Sequence, residues 1–337
     1  MVPEDVSRFR TAITPVPPGV PRPLWSVMIP TYHCANHLRE TLTRVLAQDP
    51  GPELMQLEVV DDCSTRDDPE AVVREVGEGR VAFFRQEENV GHTRNFDTCL
   101  QRSRGQLVHV LHGDDYVLES FYHTMEAPFV HHPEIGAAFC RNIFIDGSGR
   151  TFATSRLVQR ERGIVEGWLE RIATGQLLQP SSIVVRRAVY ERLGGFDRRI
   201  LTFGEDWEMW VRIAAAYPVF YEPEPLAAYR LNDETSLSGS ALRTGQNMRD
   251  LRTAVELNAA LLPAAHRRRL SREASVNNAL GTIRRSHRIL DTGEVRVPLI
   301  QLREALRTSP TPRVTLHAAW LLAHCLWTIV RRGGRTG

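Results

Sequence analysis

Leu107-Val-His-Val-Leu-His-Gly-Asp-Asp-Tyr116 is a short apolar run broken by glycine and closed by two adjacent carboxylates. Its length and its breaker residues read as a strand that ends in an acidic turn. The same pattern occurs upstream in Leu57-Glu-Val-Val-Asp-Asp62. Trp25-Ser-Val-Met-Ile29 is a third run, which should stop at Pro30 because proline cannot donate to a central ladder. Between the runs lie helical patterns: His37 to Ala47, with Leu38, Leu42, Val45 and Leu46 on one face, a helix capped by Asp68 with Pro69 in its first turn, and Phe96 to Arg102. A further strand is expected at Val81 to Phe84. Strands alternating with helices predict an α/β fold, a doubly wound and mostly parallel sheet flanked by helices.

Past Tyr116 the pattern is mixed. It predicts a helix at Glu119 to His131, a strand at Ala137 to Ile145, a polar turn at Asp146-Gly-Ser-Gly149, a strand at Ser182 to Val185 and a helix at Asp206 to Ala215. Beyond about Ser240 the chain reads as helical and arginine-rich. The expected organisation is a flexible leader over residues 1–23, a catalytic domain over 24–240 and a helical C-terminal region over 241–337.

The 337 residues, 42% hydrophobic and 24% charged, can bury a sizeable core. All 42 basic residues are arginine, so Schiff-base catalysis and a P-loop lysine are both excluded. Net charge is +2, but unevenly spread: from Ala241 onward 17 Arg face 6 acids (+11), while the first 240 residues hold 25 Arg against 34 acids (−9). A basic tail suits an anionic surface such as an inner membrane leaflet, or a solvated helical face. The five cysteines are scattered without a CxxC pair, which fits a reduced, cytoplasmic setting and argues against structural zinc. Met1 to Pro23 is polar and proline-rich, with no signal-peptide core. Val314 to Val330, closed by Arg331 and Arg332, falls short of about 20 apolar residues and predicts a packed or interfacial helix rather than a spanning one.

The carboxylates carry the chemistry. Ligands of an open parallel sheet bind beyond the carboxyl ends of its strands. Pro30-Thr31-Tyr32, Asp61-Asp62 and Asp114-Asp115 should therefore converge on one edge. Two acidic pairs there would repel unless a cation compensates, and a hard ion such as Mg²⁺ or Mn²⁺ does so while keeping positions open for phosphate. Acids after a strand also serve as turn formers, and Asp206 at a helix head is also an ordinary cap.

In order and spacing, Ser26-Val-Met-Ile-Pro-Thr-Tyr32, Glu58-Val-Val-Asp-Asp-Cys-Ser-Thr65, Asn89-Val-Gly-His-Thr-Arg-Asn95, Leu111-His-Gly-Asp-Asp-Tyr116, Leu193-Gly-Gly-Phe-Asp197 and Glu205-Asp206-Trp207 resemble glycosyltransferase family 2, the inverting enzymes of GT-A fold. The likeness spans roughly residues 24–235. It implies a nucleotide-diphosphate sugar as donor, UDP-linked first of all, and a carbohydrate, lipid-linked or other hydroxyl acceptor. Pro30, Thr31 and Tyr32 would line the base pocket, and Asp61 or Asp62, with Asp62 favoured, would hydrogen-bond the base. Arg94 would lie near the nucleotide and Asp114 near the ribose or metal. Asp115 would ligate the metal, and Asp206 would be the general base, with Glu205 the fallback.

Several positions depart from the family pattern. His112 stands where the first acid of a DxD triplet is usual, Asn232 replaces the histidine of a late YRxH segment, and His33 replaces a common asparagine. The QxxRW motif of processive synthases is absent, which implies single additions. A sugar nucleotidylyltransferase would carry a glycine- and lysine-bearing first loop, which Pro30-Thr-Tyr-His-Cys-Ala-Asn36 is not. A non-catalytic nucleotide-sugar binder is the other alternative. Nucleic acid is not expected as a partner, whereas membrane contact and a homodimer are both compatible with the basic tail.

Overall fold

The computed structural model describes residues 8–231 and 237–333. Contacts divide the chain into two units. The first comprises Met1–Trp168, Leu177–Arg198 and Arg212–Leu231, and the second Leu169–Gln176, Arg199–Val211 and Asn232–Gly337.

The first unit is built on a ten-stranded sheet. Its elements run β1 (Trp25–Thr31), α1 (Ala35–Leu46), β2 (Met55–Asp61), α2 (Pro69–Gly77), β3 (Ala82–Arg85), α3 (His92–Arg102) and β4 (Leu107–Val110). They continue with β5 (Tyr116–Val117), α4 (Phe121–His131), β6 (Ala137–Ile145), β7 (Thr151–Thr154) and β8 (Gly163–Ile164). After α5 (Trp168–Ile172), which from Leu169 on belongs to the second unit, come β9 (Ile183–Arg186), α6 (Arg187–Leu193), α7 (Glu205–Ala216), which up to Val211 also belongs to the second unit, and β10 (Val219–Arg230). The strand order is β3-β2-β1-β4-β9-β6-β10-β5, with β7 on β6 and β8 on β10. The expected parallel arrangement holds across β3-β2-β1-β4. Beyond β4 the sheet is mixed: β9 runs antiparallel to both neighbours, and β10 lies parallel to β6 but antiparallel to β5.

One detail departs from the sequence expectation. Strand β1 does not stop at Pro30 but runs on to Thr31, with Pro30 opposite Val60. The ladder to β4 ends at Met28 opposite Val110, so the amide that proline lacks falls beyond that ladder. Its carbonyl still accepts the Gly113 amide at 3.0 Å.

Packing follows the patterning. Leu38, Leu42 and Val45 of α1 are fully buried with Val27, Ile29 and Val59 of the strands beneath. The Leu193-Gly-Gly-Phe-Asp197 segment is held by buried polar groups. The Asp97 carboxylate of α3 accepts the Phe196 amide at 2.9 Å and the Thr11 hydroxyl at 2.5 Å, while Arg10 Nε reaches Asp197 at 3.0 Å. Arg212 donates to the carbonyls of Leu193 and Gly195 at 2.8 and 3.0 Å. Residues of the proline-rich N-terminal stretch thus bond to the first unit, and Ile13 is buried there.

The second unit contains α8 (Leu237–Thr244), α9 (Gln246–Leu261), α10 (Ala264–Asp291), α11 (Arg296–Thr308) and α12 (Pro312–Gly333). Leu280, Ile283, Val314, Ala318 and Leu321 form its apolar centre. A buried amide pair pins α9 to α11: Asn247 and Gln301 exchange hydrogen bonds at 3.1 and 2.9 Å, and the Thr282 hydroxyl donates to Gln301 at 2.9 Å. The terminal apolar stretch is longer than the sequence window suggested. Pro312–Arg331, 20 residues, is long and apolar enough to cross a membrane by length and composition, and 22% of it is buried. Pro312 and Arg313 at the helix start and Arg331 at its end are the residues that the window from Val314 to Val330 leaves out.

Two outcomes follow. A Cβ at Gly195 would stand 2.1 Å from Asp97 Oδ1, so Gly195→Ala must push the segment off α3. Thermal melting should show a loss of roughly 2–3 kcal/mol or more. Burial pushes the Asp97 carboxyl from its ordinary 3.8 up to about 6, against the pull of the Thr11 and Phe196 hydrogen bonds. Between those values the folded chain keeps a proton that the unfolded chain has released. The associated stability is therefore full below the window and is lost as pH rises through it. Urea titrations should show that fall, and Asp97→Asn should flatten it by roughly 2–3 kcal/mol at most.

Candidate active site

The carboxyl ends of β1, β2 and β4 meet at one edge of the first unit's sheet. The turn His112-Gly-Asp-Asp115 sits directly against the end of β1, since a Cβ on Gly113 would lie 3.0 Å from Cys34 Sγ and 3.2 Å from Thr31 Cβ. A side chain here would make Cys34 or Thr31 give way by a few tenths of an ångström, so glycine favours this close approach of the acidic turn. Two residues at the same edge, His33 (φ 54°) and Cys63 (φ 60°), hold left-handed backbone that side chains other than glycine adopt at some cost.

The two acids after β2 differ in what they can still do. Asp61 is fully buried and accepts four donors: Ser64 Oγ at 2.6 Å, the Ser64 amide at 3.1 Å, Thr31 Oγ1 at 3.3 Å and Arg85 Nε at 2.8 Å. A carboxylate has about four lone-pair sites, so Asp61 has none left for a ligand. Asp62 accepts one amide on each oxygen, Val90 at 2.8 Å and Gly91 at 3.0 Å, and so keeps acceptor capacity. Burial raises its pKa above the usual carboxylate range, those two amides pull it back, and Asp61 adds to the rise. Asn95 fixes α3 beneath this loop, donating to the Val60 carbonyl at 2.9 Å.

Around Asp114 and Asp115 the side chains are close enough together to hold a cation. His112, Asp114 and Asp115 each place one ligand atom within 4.8 Å of the others. Asp115 is 1% exposed, and while its Oδ1 accepts the Arg230 amide at 2.8 Å, its Oδ2 is buried without a close hydrogen bond among the described residues, the nearby Ser181 hydroxyl pulling its pKa down only in part. Burial first, and then the neighbouring Asp114, hold the Asp115 carboxyl well above its usual range. A buried carboxylate beside another, with an oxygen that lacks a close hydrogen bond, fits a divalent cation bound through oxygen. The sequence reading took His112 as a lost acid, but the fold keeps it in the cluster as a nitrogen donor, with its ring stacked 5.0 Å from that of Phe96.

Arg230, which the sequence reading met only within a partial motif, organises this turn. Its guanidinium donates to the carbonyls of Asp114 and Asp146 at 2.9 and 3.1 Å and to Glu40 at 3.1 Å. Thr41 Oγ1 completes the clamp on the Asp115 carbonyl at 2.6 Å. Asn232 lies outside the described residues.

The remaining predicted residues take distinct positions. Pro30 is buried within β1, and Tyr32 is 39% exposed with its ring 3.9 Å from that of His33. Arg94 is exposed in the first turn of α3 and makes no ion pair with any described residue. Thr31, Asp61, Asp62, Asp114 and Asp115 are thus gathered at one sheet edge, with Arg94 on the helix that follows the Asp62 loop. Glu205 and Asp206 belong to the second unit, at the start of α7, and both are buried. Asp206 accepts the Trp207 amide at 2.7 Å and Gln176 Nε2 at 2.5 Å, and Trp207 Nε1 donates to the Ile172 carbonyl at 2.7 Å. Gln176 is a partner that no local sequence signal announces. Ser181 and Ser182, just ahead of β9, are fully buried, and the Ser181 hydroxyl acts on the Asp115 carboxyl.

Comparison with known proteins identifies the family and the fold. The pattern of the family described as Glycosyl transferase family 2 matches residues 26–194, and that of Glycosyltransferase like family 2 matches residues 141–256. An uncharacterised protein of Mycobacterium tuberculosis (strain CDC 1551 / Oshkosh) is 29% identical over 261 residues, 74% of this chain and 78% of its own. An uncharacterised glycosyltransferase of Mycoplasma pneumoniae is 26% identical over 210 residues, covering 61% and 67%. Among solved structures, S. aureus TarS 1–349 in complex with UDP-GlcNAc superposes with a TM-score of 0.63 at 17% identity, over 90% of this chain and 88% of that one. The mannosyltransferase PcManGT from Pyrobaculum calidifontis, in complex with GDP-Man and Mn²⁺, gives 0.56 at 16% identity, over 97% and 92%. At these identities the structural likeness is one of fold, the GT-A fold with a helical C-terminal part.

Arg230 supplies a direct check of the cluster. Arg230→Met removes the donors that hold the Asp114 and Asp146 carbonyls and leaves buried acceptors unpaired, costing roughly 2–4 kcal/mol in melting experiments. Mn²⁺ affinity measured by calorimetry should fall with it. Unchanged affinity would mean that the acidic turn holds its shape without the clamp.

Proposed function

This chain belongs to glycosyl transferase family 2, and from that premise we propose that it moves a single sugar from a nucleotide-diphosphate donor to a hydroxyl acceptor, with inversion and with a divalent cation. The observation that carries this reading is the cluster of His112, Asp114 and Asp115 seated against Thr31 at the sheet edge that also presents Asp62.

Each residue has a physical task. Asp62, the pair member with acceptor capacity to spare, takes an N–H of the base, in a pocket walled by Pro30, Thr31 and Tyr32. Arg94, exposed and unpaired among the described residues, faces a phosphate or ribose oxygen. Asp115 Oδ2, Asp114 and His112 would hold Mg²⁺ or Mn²⁺, which supplies charge compensation for the diphosphate leaving group. His112 contributes nitrogen to an otherwise carboxylate set, which favours Mn²⁺ over Mg²⁺.

Asp206 takes the acceptor's hydroxyl proton as that oxygen bonds to the anomeric carbon and the bond from that carbon to the diphosphate oxygen breaks. What supports Asp206 is its anchorage: Gln176 Nε2 donates to one of its oxygens and the Trp207 amide to the other, which holds the carboxylate in place at the head of α7. Glu205 is the alternative base. UDP-sugars are the first donors to test, since TarS was solved with UDP-GlcNAc, with GDP-sugars next, after PcManGT. The acceptor is a carbohydrate, a lipid-linked sugar or another hydroxyl compound. Five free cysteines fit the cytoplasmic side.

A panel of nucleotide sugars with Mn²⁺, read as nucleotide diphosphate released, tests the reaction. Asp206→Asn should cut turnover at least about a hundredfold while donor binding persists. Binding without release for every donor would favour the non-catalytic binder. Arg94→Ala should leave the melting temperature unchanged and weaken nucleotide affinity roughly tenfold. His112→Asp should shift the Mn²⁺ to Mg²⁺ affinity ratio toward Mg²⁺ by about tenfold, read by calorimetry, and no shift would remove His112 from the ligand set.

A further inference from the structure

The last helix of the second unit presents an unusual surface. One face of α12 is buried through Val314, Ala318, Leu321 and Cys325. On the other, every exposed side chain from Leu316 to Val330 is apolar. The stripe spans about 21 Å at helical rise and includes Trp320 at 65% exposed, Trp327 at 51%, Leu326 at 56% and Val330 at 73%. Soluble monomers rarely leave so continuous an apolar strip to water.

What covers it is indicated by the charges around it. Arg313 and Arg331 close the stripe at its two ends, and the Arg331 guanidinium lies 4.0 Å over the Trp327 ring. Beside its N-terminal end, an open groove is lined by Arg268, Arg269, Arg272 and Arg313 together with Glu273. Arg269 pairs with Glu170 and Glu273, but Arg268, Arg272 and Arg313 have no acidic partner among the described residues. The wider region from Ala241 onward carries a balance of +11. A second copy of this chain laid on the strip would bring like charges together at its rim. A bilayer with anionic headgroups satisfies both features, since acyl chains take the apolar strip and phosphates take the guanidiniums.

We infer that α12 lies in the plane of an anionic membrane surface, its Trp320–Trp327 face inserted among the acyl chains and the Arg268–Arg272–Arg313 groove on the headgroups. The buried opposite face keeps the helix on its own unit, so the contact is peripheral. This inference does not depend on the transferase reading, because none of these residues belongs to the proposed donor site.

The test uses the full chain and lipid vesicles, either of phosphatidylcholine alone or with about one-third phosphatidylglycerol. The chain should sediment with the anionic vesicles at low salt, bind the neutral ones at least about tenfold more weakly, and show a blue-shifted tryptophan emission when bound. Trp320→Ser with Trp327→Ser should weaken vesicle binding by about tenfold or more, without lowering the melting temperature. Arg268→Glu with Arg272→Glu should abolish the preference for anionic lipid. Two results overturn the inference: no sedimentation with anionic vesicles, or equal sedimentation of both double variants and the native chain. A third does so as well, namely a dimer in sedimentation velocity that the tryptophan substitutions dissociate without altering vesicle binding.

Discussion

Asp115 is buried beside a second carboxylate, and everything at the sheet edge has to make that arrangement tolerable. An acid in such a place either keeps its proton or gathers compensating charge. The fold does part of the work through Arg230, whose amide and guanidinium bind the turn, and through the Ser181 hydroxyl, and leaves Asp115 Oδ2 without a close hydrogen bond among the described residues. Polar groups in protein interiors are almost always paired. That oxygen is thus informative, because it is where a compensating cation would bind.

The parallel half of the fold was legible because its signals are local. Strand-length apolar runs with Gly, Pro or Asp at their ends fix β1, β2 and β4, and a ligand edge follows from the chain direction. Strand β10 was not foreseen, although it is the longest of the sheet. Pro223 and Pro225 interrupt its pattern, and the structure accommodates them as register shifts against β6. Its loss from the sequence reading concealed Arg230, which acts across 116 positions of the chain on Asp114. The partnership of Gln176 with Asp206 is equally invisible to periodicity, being a contact between a loop and a helix start.

Some residues were legible by type but not by task. Asp61 and Asp62 look alike in sequence, yet one spends its lone pairs on its own turn and on Arg85, while the other meets only two loop amides. His112 read as a missing carboxylate because a pattern registers what is absent, whereas the coordinates register which atoms remain within reach. The Leu193-Gly-Gly-Phe-Asp197 motif shows the reverse case. Its tie to Asp97 and its paired Asp197 give it a structural role in the first unit, which the motif's place in the family pattern did not specify.

The way Arg230 makes its contacts has consequences for how this protein can vary. Two of its three principal acceptors, at Asp114 and Asp146, are main-chain oxygens that every amino acid carries. Swapping the side chain at 147 would therefore leave the grip intact so long as the Asp146 carboxylate still ties the turn together through the Ser148 and Arg150 amides, whereas inserting or deleting one residue in the β6–β7 turn would carry the oxygen away. Drift in spelling is permitted there and drift in length is not, so homologues should show a varied but fixed-length turn opposite this arginine.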